Sequence, residues 1–258
     1  ERCLMAKLLR DSWLMFRSQF NVSRRNLVWL FVGMFQPICY LLLFAPLLKN
    51  LVGTPGFPPG SAYNIFTPGL MVMMAIFGAG FAGFGVINRL RSGFIERMRV
   101  TPVSRLAMIL GALGVDVCLF VVQILLLLGL GLLLGFRPDA GGMALLILLL
   151  ILSAIAMACF SYALALLFKD ESGMAASVNL FVLPLLLLSG VMLPLTLAPD
   201  ILQHVAKANP FAYAVDASRA LVAGNPGDAS VVKSFVIIGV LAVLTTFWAT
   251  RSMRKAAM

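Results

Sequence analysis

The stretch "ILLLLGLGLLLGF", Ile124–Phe136, decides the fold of this chain. It holds no charged residue, and its apolar residues do not alternate with polar ones. A transmembrane β-strand shows that alternation, whereas a helix in hydrocarbon is apolar on every side because its backbone groups bond to one another. The stretch lies in a longer apolar run, Leu106–Leu134, which exceeds the ~20 residues that a helix needs to cross a bilayer. We therefore expect a membrane-spanning helix here.

The composition of the whole chain supports the same interpretation. Of its 258 residues, 61% are hydrophobic and 12% are charged, whereas a soluble domain has roughly 25% charged residues. So little polar surface predicts an all-α integral membrane protein, solvated largely by lipid and forming one transmembrane domain over residues 1–258. Six apolar runs are long enough to span. They are Leu27–Leu48, Phe66–Ile87, Leu106–Leu134, Met143–Phe168, Met174–Leu195 and Val231–Thr250.

The basic residues predict the orientation of these spans. Of the Lys and Arg residues outside the spans and at their edges, fifteen lie on the side of the N-terminus and five on the other side. Because cytoplasmic segments retain basic residues, both termini of this multi-pass protein are predicted to be cytoplasmic. Topology thus accounts for the net charge of +10, and no nucleic-acid partner is expected, since that would need a basic face on a soluble domain.

Residues 1–25 predict an amphipathic helix that lies flat in the cytoplasmic interface. Trp13 falls on its apolar face, and Lys7, Arg10 and Arg17 fall on the opposite face. The segment is too polar to span, and its basic face suits anionic membrane lipid or a cytoplasmic partner. A passive anchor and an element that also contacts a cytoplasmic subunit both fit this pattern.

The linker between the second and third spans is unusual for a simple loop. In "IERMRVTPVSRL", Ile95–Leu106, Pro102 disfavours helix at the residue before it and so ends a short helix. We expect a cytoplasmic helix over residues 94–102 that exposes Glu96, Arg97 and Arg99. The plainer alternative is a loop that only fixes topology, but such a loop needs neither an ordered helix nor a proline stop.

The segment 196–224 predicts short re-entrant helices on the outer side. Asn209-Pro210 is a typical helix start, and Asp216 and Arg219 are spaced to form an ion pair. Neither helix is long enough to span and both are too apolar for water, so we expect them to fold back into the outer leaflet, covered by protein. The residues assigned to this outer gate are Ser189, Gly190, Pro194, Pro199, Asn209, Pro210, Asp216 and Arg219.

One ionisable residue, Asp116, lies well inside a span. Because an unpaired charge there costs several kcal/mol, Asp116 is expected to face the bundle or a wet cavity. Two roles stay open for it: a contact that moves during function, and a structural hydrogen bond between helices.

The bulky residues of the second span either line an apolar cavity or face lipid. The candidate lining residues of a path through the membrane are Met71, Met74, Phe77, Phe81, Phe84 and Asp116.

The sequence lacks the residues that several kinds of chemistry require. There is no G-x-x-x-x-G-K-[ST] phosphate loop, no paired carboxylate and no catalytic-triad pattern. The four cysteines have no paired spacing and the single histidine, His204, sits among polar residues, so we expect no disulfide and no metal site. The chain is therefore not expected to be an enzyme. A membrane subunit driven by a separate cytoplasmic motor fits these features best.

Four stretches, taken in order, resemble the type-2 permease family of ATP-binding cassette exporters, especially its bacterial drug-resistance and antibiotic-export members. They are "YNIFTPGLMVMM" (Tyr63–Met74), "ERMRVTPVSR" (Glu96–Arg105), "LPLLLLSGVMLPLTLAP" (Leu183–Pro199) and "NPFAYAVDASRAL" (Asn209–Leu221). The first resembles the family's entry into span two, and the second its cytoplasmic coupling helix. The third and fourth resemble the Ser-Gly and proline pattern of span five and the segment before span six.

The resemblance implies a permease in a bacterial cell membrane, paired with a second copy or a related permease. Two ATPase subunits would bind ATP and Mg, and this chain would bind no cofactor. The coupling-helix residues that it implies contact an ATPase are Glu96, Arg97, Met98, Arg99, Val100, Thr101 and Pro102. A hydrophobic or amphipathic substrate such as a drug, antibiotic or lipid is expected. The alternatives are an ion-gradient-driven secondary transporter and a polysaccharide or glycolipid exporter of the same family.

Overall fold

The computed structural model describes residues 2–23, 28–44, 46, 61–92, 105–191 and 199–256. The prediction of an all-helical chain is confirmed for these residues. Their α-helices are α1 (Arg2–Ser23), α2 (Val28–Cys39), α3 (Ala62–Gly80), α4 (Gly83–Arg91), α5 (Arg105–Leu134), α6 (Ala140–Phe168), α7 (Glu171–Leu187), α8 (Asp200–Ala206), α9 (Pro210–Val222) and α10 (Ala229–Ala256). A five-residue π-helix, Tyr40–Phe44, continues α2.

Four helical segments in the described part of the chain are long and apolar enough to cross a membrane. They are Ala62–Arg91, Ala107–Leu134, Ala140–Phe168 and Ala229–Met253. The first and fifth predicted spans correspond instead to shorter apolar helices, Gly33–Leu43 and Glu171–Leu187. The six-span arrangement therefore stays a prediction, and four of its spans have helices of sufficient length.

Proline accounts for the irregularity of the two shorter helices. Pro37 lies inside α2, just before the π-helix, and Pro184 lies inside α7, one turn before that helix ends. Proline removes a backbone donor and crowds the preceding turn. Beyond α7 the chain turns at Gly190, whose φ of 71° is a left-handed conformation that favours glycine.

Side-chain caps fix where three of the helices begin. The carboxylates of Asp139 and Asp170 accept hydrogen bonds from the N–H groups of Gly141 (2.9 Å) and Gly173 (3.1 Å), at the starts of α6 and α7. Asn209 caps α9 in the same way, and Pro210 is its first residue. Each cap satisfies a backbone donor that has no partner within the helix.

Helix α6 is the centre of the fold, since it packs against α3, α4, α5, α7, α9 and α10. Its inward residues are mostly small, and Gly142 approaches the backbone carbonyl of Leu221 so closely that a Cβ would overlap it. Small residues of this kind let helices in lipid approach one another closely. The end of the bundle that carries Arg91 and the C-terminal part of α10 is called the inner end, and the opposite end is called the outer end.

Helix α1 packs along α5 rather than standing apart. Phe16 lies against Gly114, and a Cβ on Gly111 would be 2.5 Å from the Cβ of Met15. Part of the predicted apolar face of α1 is therefore used for contact with protein.

Candidate functional site

The second predicted span is broken in its inner half. Helix α3 ends at Gly80 and α4 begins at Gly83, with Phe81 and Ala82 in a turn between them. The hydroxyl of Ser161, on α6, donates to the carbonyl of Gly80 (2.5 Å) and accepts from the N–H of Gly83 (2.9 Å). Both polar groups would otherwise be costly in an apolar interior, so one buried serine stabilises the break.

Glycine is required at the start of α4 because the backbone of α6 lies so near. A Cβ on Gly83 would be 2.5 Å from the carbonyl oxygen of Ser161 and 2.6 Å from the terminal methyl of Met174. No local pattern in the sequence distinguishes Ser161 from the other residues of its apolar run. The glycine-rich run "FGAGFAGFG", Phe77–Gly85, was the available signal for a close contact at this position.

A polar cluster joins α4, α5 and α6 near the inner end. The hydroxyl of Tyr162 donates a hydrogen bond to the carboxylate of Asp116, and the guanidinium of Arg89 attracts the same carboxylate electrostatically. Asp116 therefore faces the bundle, as the sequence predicts. Its interhelical hydrogen bond is one of the two roles that the sequence leaves open.

Beside this cluster lies a small, almost wholly apolar cavity of about 20 Å³. Arg89 and Tyr162 form part of its wall. The remaining lining residues are Val86, Met108, Ile109, Ala112, Leu166 and Met253. The cluster thus adjoins both the start of α5 and the C-terminal part of α10.

A second set of contacts holds the end of α4. The guanidinium of Arg91 lies 2.7 Å from the carboxylate of Glu171 and 3.6 Å from that of Asp170, where α7 begins. These side chains are about half exposed. The N–H of Gly173, which donates to Asp170, lowers the pKa of Asp170. Helix α4 is therefore joined to α7 by the Arg91 ion pairs, while Arg89 lines the same cavity as Tyr162 of α6 and attracts the Asp116 carboxylate of α5 without forming an ion pair with it.

The predicted coupling helix, residues 94–102, follows α4 in the chain. It lies outside the described residues. The same holds for the residues assigned to it, which are Glu96, Arg97, Met98, Arg99, Val100, Thr101 and Pro102. Arg91 and Ser92 are the last described residues before that segment.

At the outer end, Arg219 on α9 links three parts of the chain. Its Nε donates to the carbonyl of Ile65 (3.2 Å), and its Nη2 donates to the carbonyl of Gly190 (2.7 Å). The Arg219 side chain is 17% exposed, while Asp216, 3.9 Å from it, is 57% exposed. The two backbone carbonyls are therefore closer partners of the buried guanidinium than the ion pair that the spacing suggests.

Two asparagines make similar side-chain-to-backbone bonds. Asn209 donates to the carbonyl of Leu185 (2.6 Å), which fixes the start of α9 against the end of α7. Asn64 both donates to the carbonyl of Arg137 (3.3 Å) and accepts from its N–H (2.9 Å), which joins the start of α3 to the turn after α5. The outer ends of several helices are thus connected through backbone groups.

The other outer-gate residues occupy varied positions. Ser189 and Gly190 are buried, with the Ser189 hydroxyl donating to the carbonyl of Leu186 (2.6 Å). Pro199 is exposed and precedes α8, and Pro194 lies outside the described residues. His204 is exposed, and its Nδ1 lies 2.8 Å from the carbonyl of Asp200 within the same helix. Across the described ranges, no three His, Cys, Asp or Glu side chains come together as a metal site requires.

The candidate lining residues of α3 and α4 fall into two groups. Met71 and Met74 are buried in the core of a single chain, with 1% and 2% of their surface exposed. Phe77, Phe81 and Phe84 are partly exposed and form a row, with ring centroids 6.0 and 5.8 Å apart. Of these five candidate residues, only the three phenylalanines therefore reach the surface of the chain, where they could line a path between this chain and another one.

The predicted interfacial residues all lie on α1. Arg10 and Arg17 are exposed, and Trp13 is 63% exposed while stacking on Phe16 at 5.4 Å. Lys7 belongs to the same helix.

The sequence profile of the ABC-2 type transporter family matches residues 10–223. The chain is 27% identical over 194 residues to the "Daunorubicin resistance ABC transporter permease protein DrrB1" of Streptomyces coeruleorubidus, an alignment that covers 74% of this chain and 68% of that protein. It is 26% identical over 215 residues to the "Putative transport permease ycf38" of Cyanophora paradoxa, which covers 83% and 74% respectively. Because the family match extends over most of the helical bundle, the chain belongs to the ABC-2 type transporter family, the type-2 permeases of ATP-binding cassette systems.

Proposed function

We propose that this chain is the membrane subunit of an ATP-driven exporter that moves a hydrophobic or amphipathic substrate out of the cytoplasm or the inner leaflet. Membership of the ABC-2 family supports an exporter permease. The daunorubicin-resistance name of one relative supports a drug or antibiotic as cargo. The energy would come from two separate ATPase subunits that bind ATP and Mg, since the sequence has no phosphate loop of its own.

The arrangement of α4 is the observation that carries this proposal. The helix is a short arm, separated from α3 by the break at Phe81 and Ala82, and the chain continues from it into the basic segment 94–102. Arg91 pairs with Glu171 of α7, and Arg89 lies beside the cavity lined by Tyr162 of α6 and attracts the Asp116 carboxylate of α5. A displacement of the basic segment would therefore reach α5, α6 and α7 through named side chains.

The proposed cycle begins when ATP-driven closure of the ATPase subunits moves the segment 94–102. Helix α4 then shifts relative to α3 at the break, and the ion pairs of Arg91 and the Asp116 cluster transmit the shift. The row of Phe77, Phe81 and Phe84 would meet the cargo between this chain and a second copy. The α9 segment, anchored by Arg219, would form the outer gate.

The assembly that we propose contains two copies of this permease in a bacterial cell membrane, with both termini cytoplasmic. Helix α7 offers an apolar surface that a second copy or lipid must cover. Its exposed residues include Leu180 (70%), Phe181 (47%), Leu183 (48%) and Leu187 (73%).

Charge reversal in the predicted coupling helix tests this function. We expect Arg97→Glu with Arg99→Glu, co-reconstituted with the ATPase, to keep ATP hydrolysis and lose about tenfold in transport, because the contact that links the two subunits is weakened. The matched control is Arg137→Glu with Lys207→Glu, which reverses two charges on the predicted outer side. Unchanged transport in the first double variant, or wild-type transport that needs no nucleotide, would overturn the proposal.

A further inference from the structure

An open groove of about 790 Å³ runs along α10 beside α6. The two helices pack directly against each other beside the groove. Thr246 Oγ1 lies 3.3 Å from Cys159 Sγ, and the rings of Trp248 and Phe160 are 5.7 Å apart. The groove is lined by Leu152, Ile155, Gly239, Ala242, Val243, Thr246, Phe247, Thr250 and Arg251. None of these residues belongs to the Asp116 cluster or to the outer gate.

The groove has the length of one lipid leaflet. From Gly239 to Arg251 the helix rises about 18 Å at ~1.5 Å per residue. One leaflet contributes about 15 Å, half of the ~30 Å hydrocarbon core. In the predicted span Val231–Thr250, Gly239 lies near the middle and Arg251 follows the last residue, so the groove would extend from near the bilayer midplane to headgroup depth.

The surface around the groove faces outward along most of α10. Val232, Val236, Val240, Val243 and Phe247 are 54–69% exposed and recur at helical spacing. Such a continuous apolar stripe is stable only when another apolar surface or lipid covers it.

Small residues make the groove deep enough to receive a chain. Gly239 and Ala242 contribute little side-chain volume. A Cβ built on Gly239 would make an ordinary van der Waals contact with the Leu152 side chain, 3.9 Å away, so the glycine leaves room for little more than a methyl group on that side.

Charge identifies the occupant. Arg251 is exposed and is the charged residue of the groove lining, and no ion pair joins it to any residue that the structure describes. The hydroxyls of Thr246 and Thr250 already donate to carbonyls of their own helix at 2.7 and 2.8 Å. The lining thus combines a long apolar wall with one free guanidinium, which matches a phosphate ester attached to an acyl chain.

We propose that this groove binds an anionic phospholipid of the inner leaflet, with one acyl chain along Gly239 and Ala242 and the phosphate at Arg251. The proposal is independent of the cargo, because the groove shares no residue with the candidate path. A bound lipid would hold α10 against α6 beside the Asp116 cluster, whose cavity includes Met253 of the same helix.

Trp248 provides a reporter next to the groove, since it follows Phe247 and is 39% exposed. In the full chain, Trp13→Phe and Trp29→Phe leave Trp248 as the single tryptophan. We would reconstitute this protein in vesicles with brominated phosphatidylglycerol or brominated phosphatidylcholine and compare the quenching of Trp248 fluorescence. We expect phosphatidylglycerol to bind about fivefold more strongly, the effect of one basic residue near an anionic lipid.

Four variants in this background locate the interaction. Arg251→Gln should abolish the preference for phosphatidylglycerol over phosphatidylcholine. Arg251→Lys keeps the positive charge and should retain most of this preference, which would show that its loss in Arg251→Gln does not reflect misfolding. Lys233→Gln is the matched control, because it removes one charge at the opposite end of the same helix. Gly239→Leu should fill the groove and weaken quenching by phosphatidylglycerol.

Other occupants give different results. Equal quenching by the two lipids, or a preference that survives Arg251→Gln, would overturn the proposal. The absence of quenching by both lipids would also overturn it and would indicate a second copy of the chain in the groove. Millimolar glycerol phosphate should not displace the lipid, and displacement would show that a free phosphate, rather than a phospholipid, occupies the site.

Discussion

The two ends of the bundle are held together by different kinds of contact. At the outer end, Arg219, Asn209 and Asn64 bond to backbone groups of neighbouring segments. Nearest the inner end, two contacts join side chain to side chain, in the pairs Tyr162–Asp116 and Arg91–Glu171, although Ser161 bonds to the backbone at the break in the second span. A backbone group can move only with the segment of chain that carries it, whereas two side chains can separate and re-form their contact elsewhere.

This difference indicates which end is built to keep its shape and which to rearrange. Removing a partner from a buried backbone group leaves that group unsatisfied, so outer contacts should matter most for stability. Inner contacts between partly exposed charges contribute little to stability. We therefore expect outer substitutions to reduce folding and inner substitutions to reduce coupling.

The largest effect is expected for Arg219→Gln. The shorter amide cannot reach both the Ile65 and Gly190 carbonyls, and two buried acceptors lose their donor. Thermal unfolding of the purified protein should show a loss of about 3 kcal/mol in the free energy of unfolding.

Asp216→Asn is the control for this substitution. It removes the exposed carboxylate 3.9 Å from Arg219 and should cost at most about 0.5 kcal/mol. Similar small losses in both variants would contradict the view that the carbonyl bonds stabilise the outer end.

An intermediate effect is expected for Tyr162→Phe. The variant removes the hydroxyl that donates to Asp116, and hydrogen bonds between membrane helices contribute only about 0.6 kcal/mol on average. The protein should therefore stay folded. Transport should fall about tenfold while ATP hydrolysis continues, because α6 no longer contacts the carboxylate near the arm α4.

Ser153→Ala is a matched control for Tyr162→Phe. It also removes a buried hydroxyl from α6, but that hydroxyl bonds only to the Leu149 carbonyl of its own helix. Transport should be close to normal in this variant. If Tyr162→Phe and Asp116→Asn act through one contact, the double variant should be no worse than either single variant. Additive losses would contradict a shared role.

The features that the sequence predicts well are local ones. Helical structure follows from unbroken apolar runs, and α9 begins at Asn209-Pro210 because a side-chain cap and a fixed φ act within a few residues. The inward orientation of Asp116 was also predictable, since a lone carboxylate is too costly to face lipid.

Contacts between distant segments were not predictable in the same way. Ser161 bonds to Gly80 across 81 positions of sequence, and nothing near either residue specifies the other. Met71 and Met74 were predicted as candidate lining residues, yet both are buried within one chain. A helix that is apolar on every side carries no periodic signal to show which face meets protein and which meets lipid.

The smallest effect is expected for Arg91→Gln. The pairs with Glu171 and Asp170 are about half exposed, so the melting temperature should not change measurably. Transport should fall by no more than about twofold, and the difference from wild type should vanish near 1 M salt, where charges are screened beyond ~3 Å.

The N–H of Gly173 lowers the pKa of Asp170 below its ordinary 3.8. The attraction between Asp170 and Arg91 is therefore lost only as the pH falls through that lowered value. The contribution of Asp170 to transport should therefore be constant between about pH 6 and pH 8.

Arg137→Gln, at the outer end, is the control for Arg91→Gln, and the exchange Arg91→Glu with Glu171→Arg should restore transport. A loss in Arg91→Gln as large as that of Tyr162→Phe, or one that persists in high salt, would show that Arg91 acts through more than an exposed ion pair.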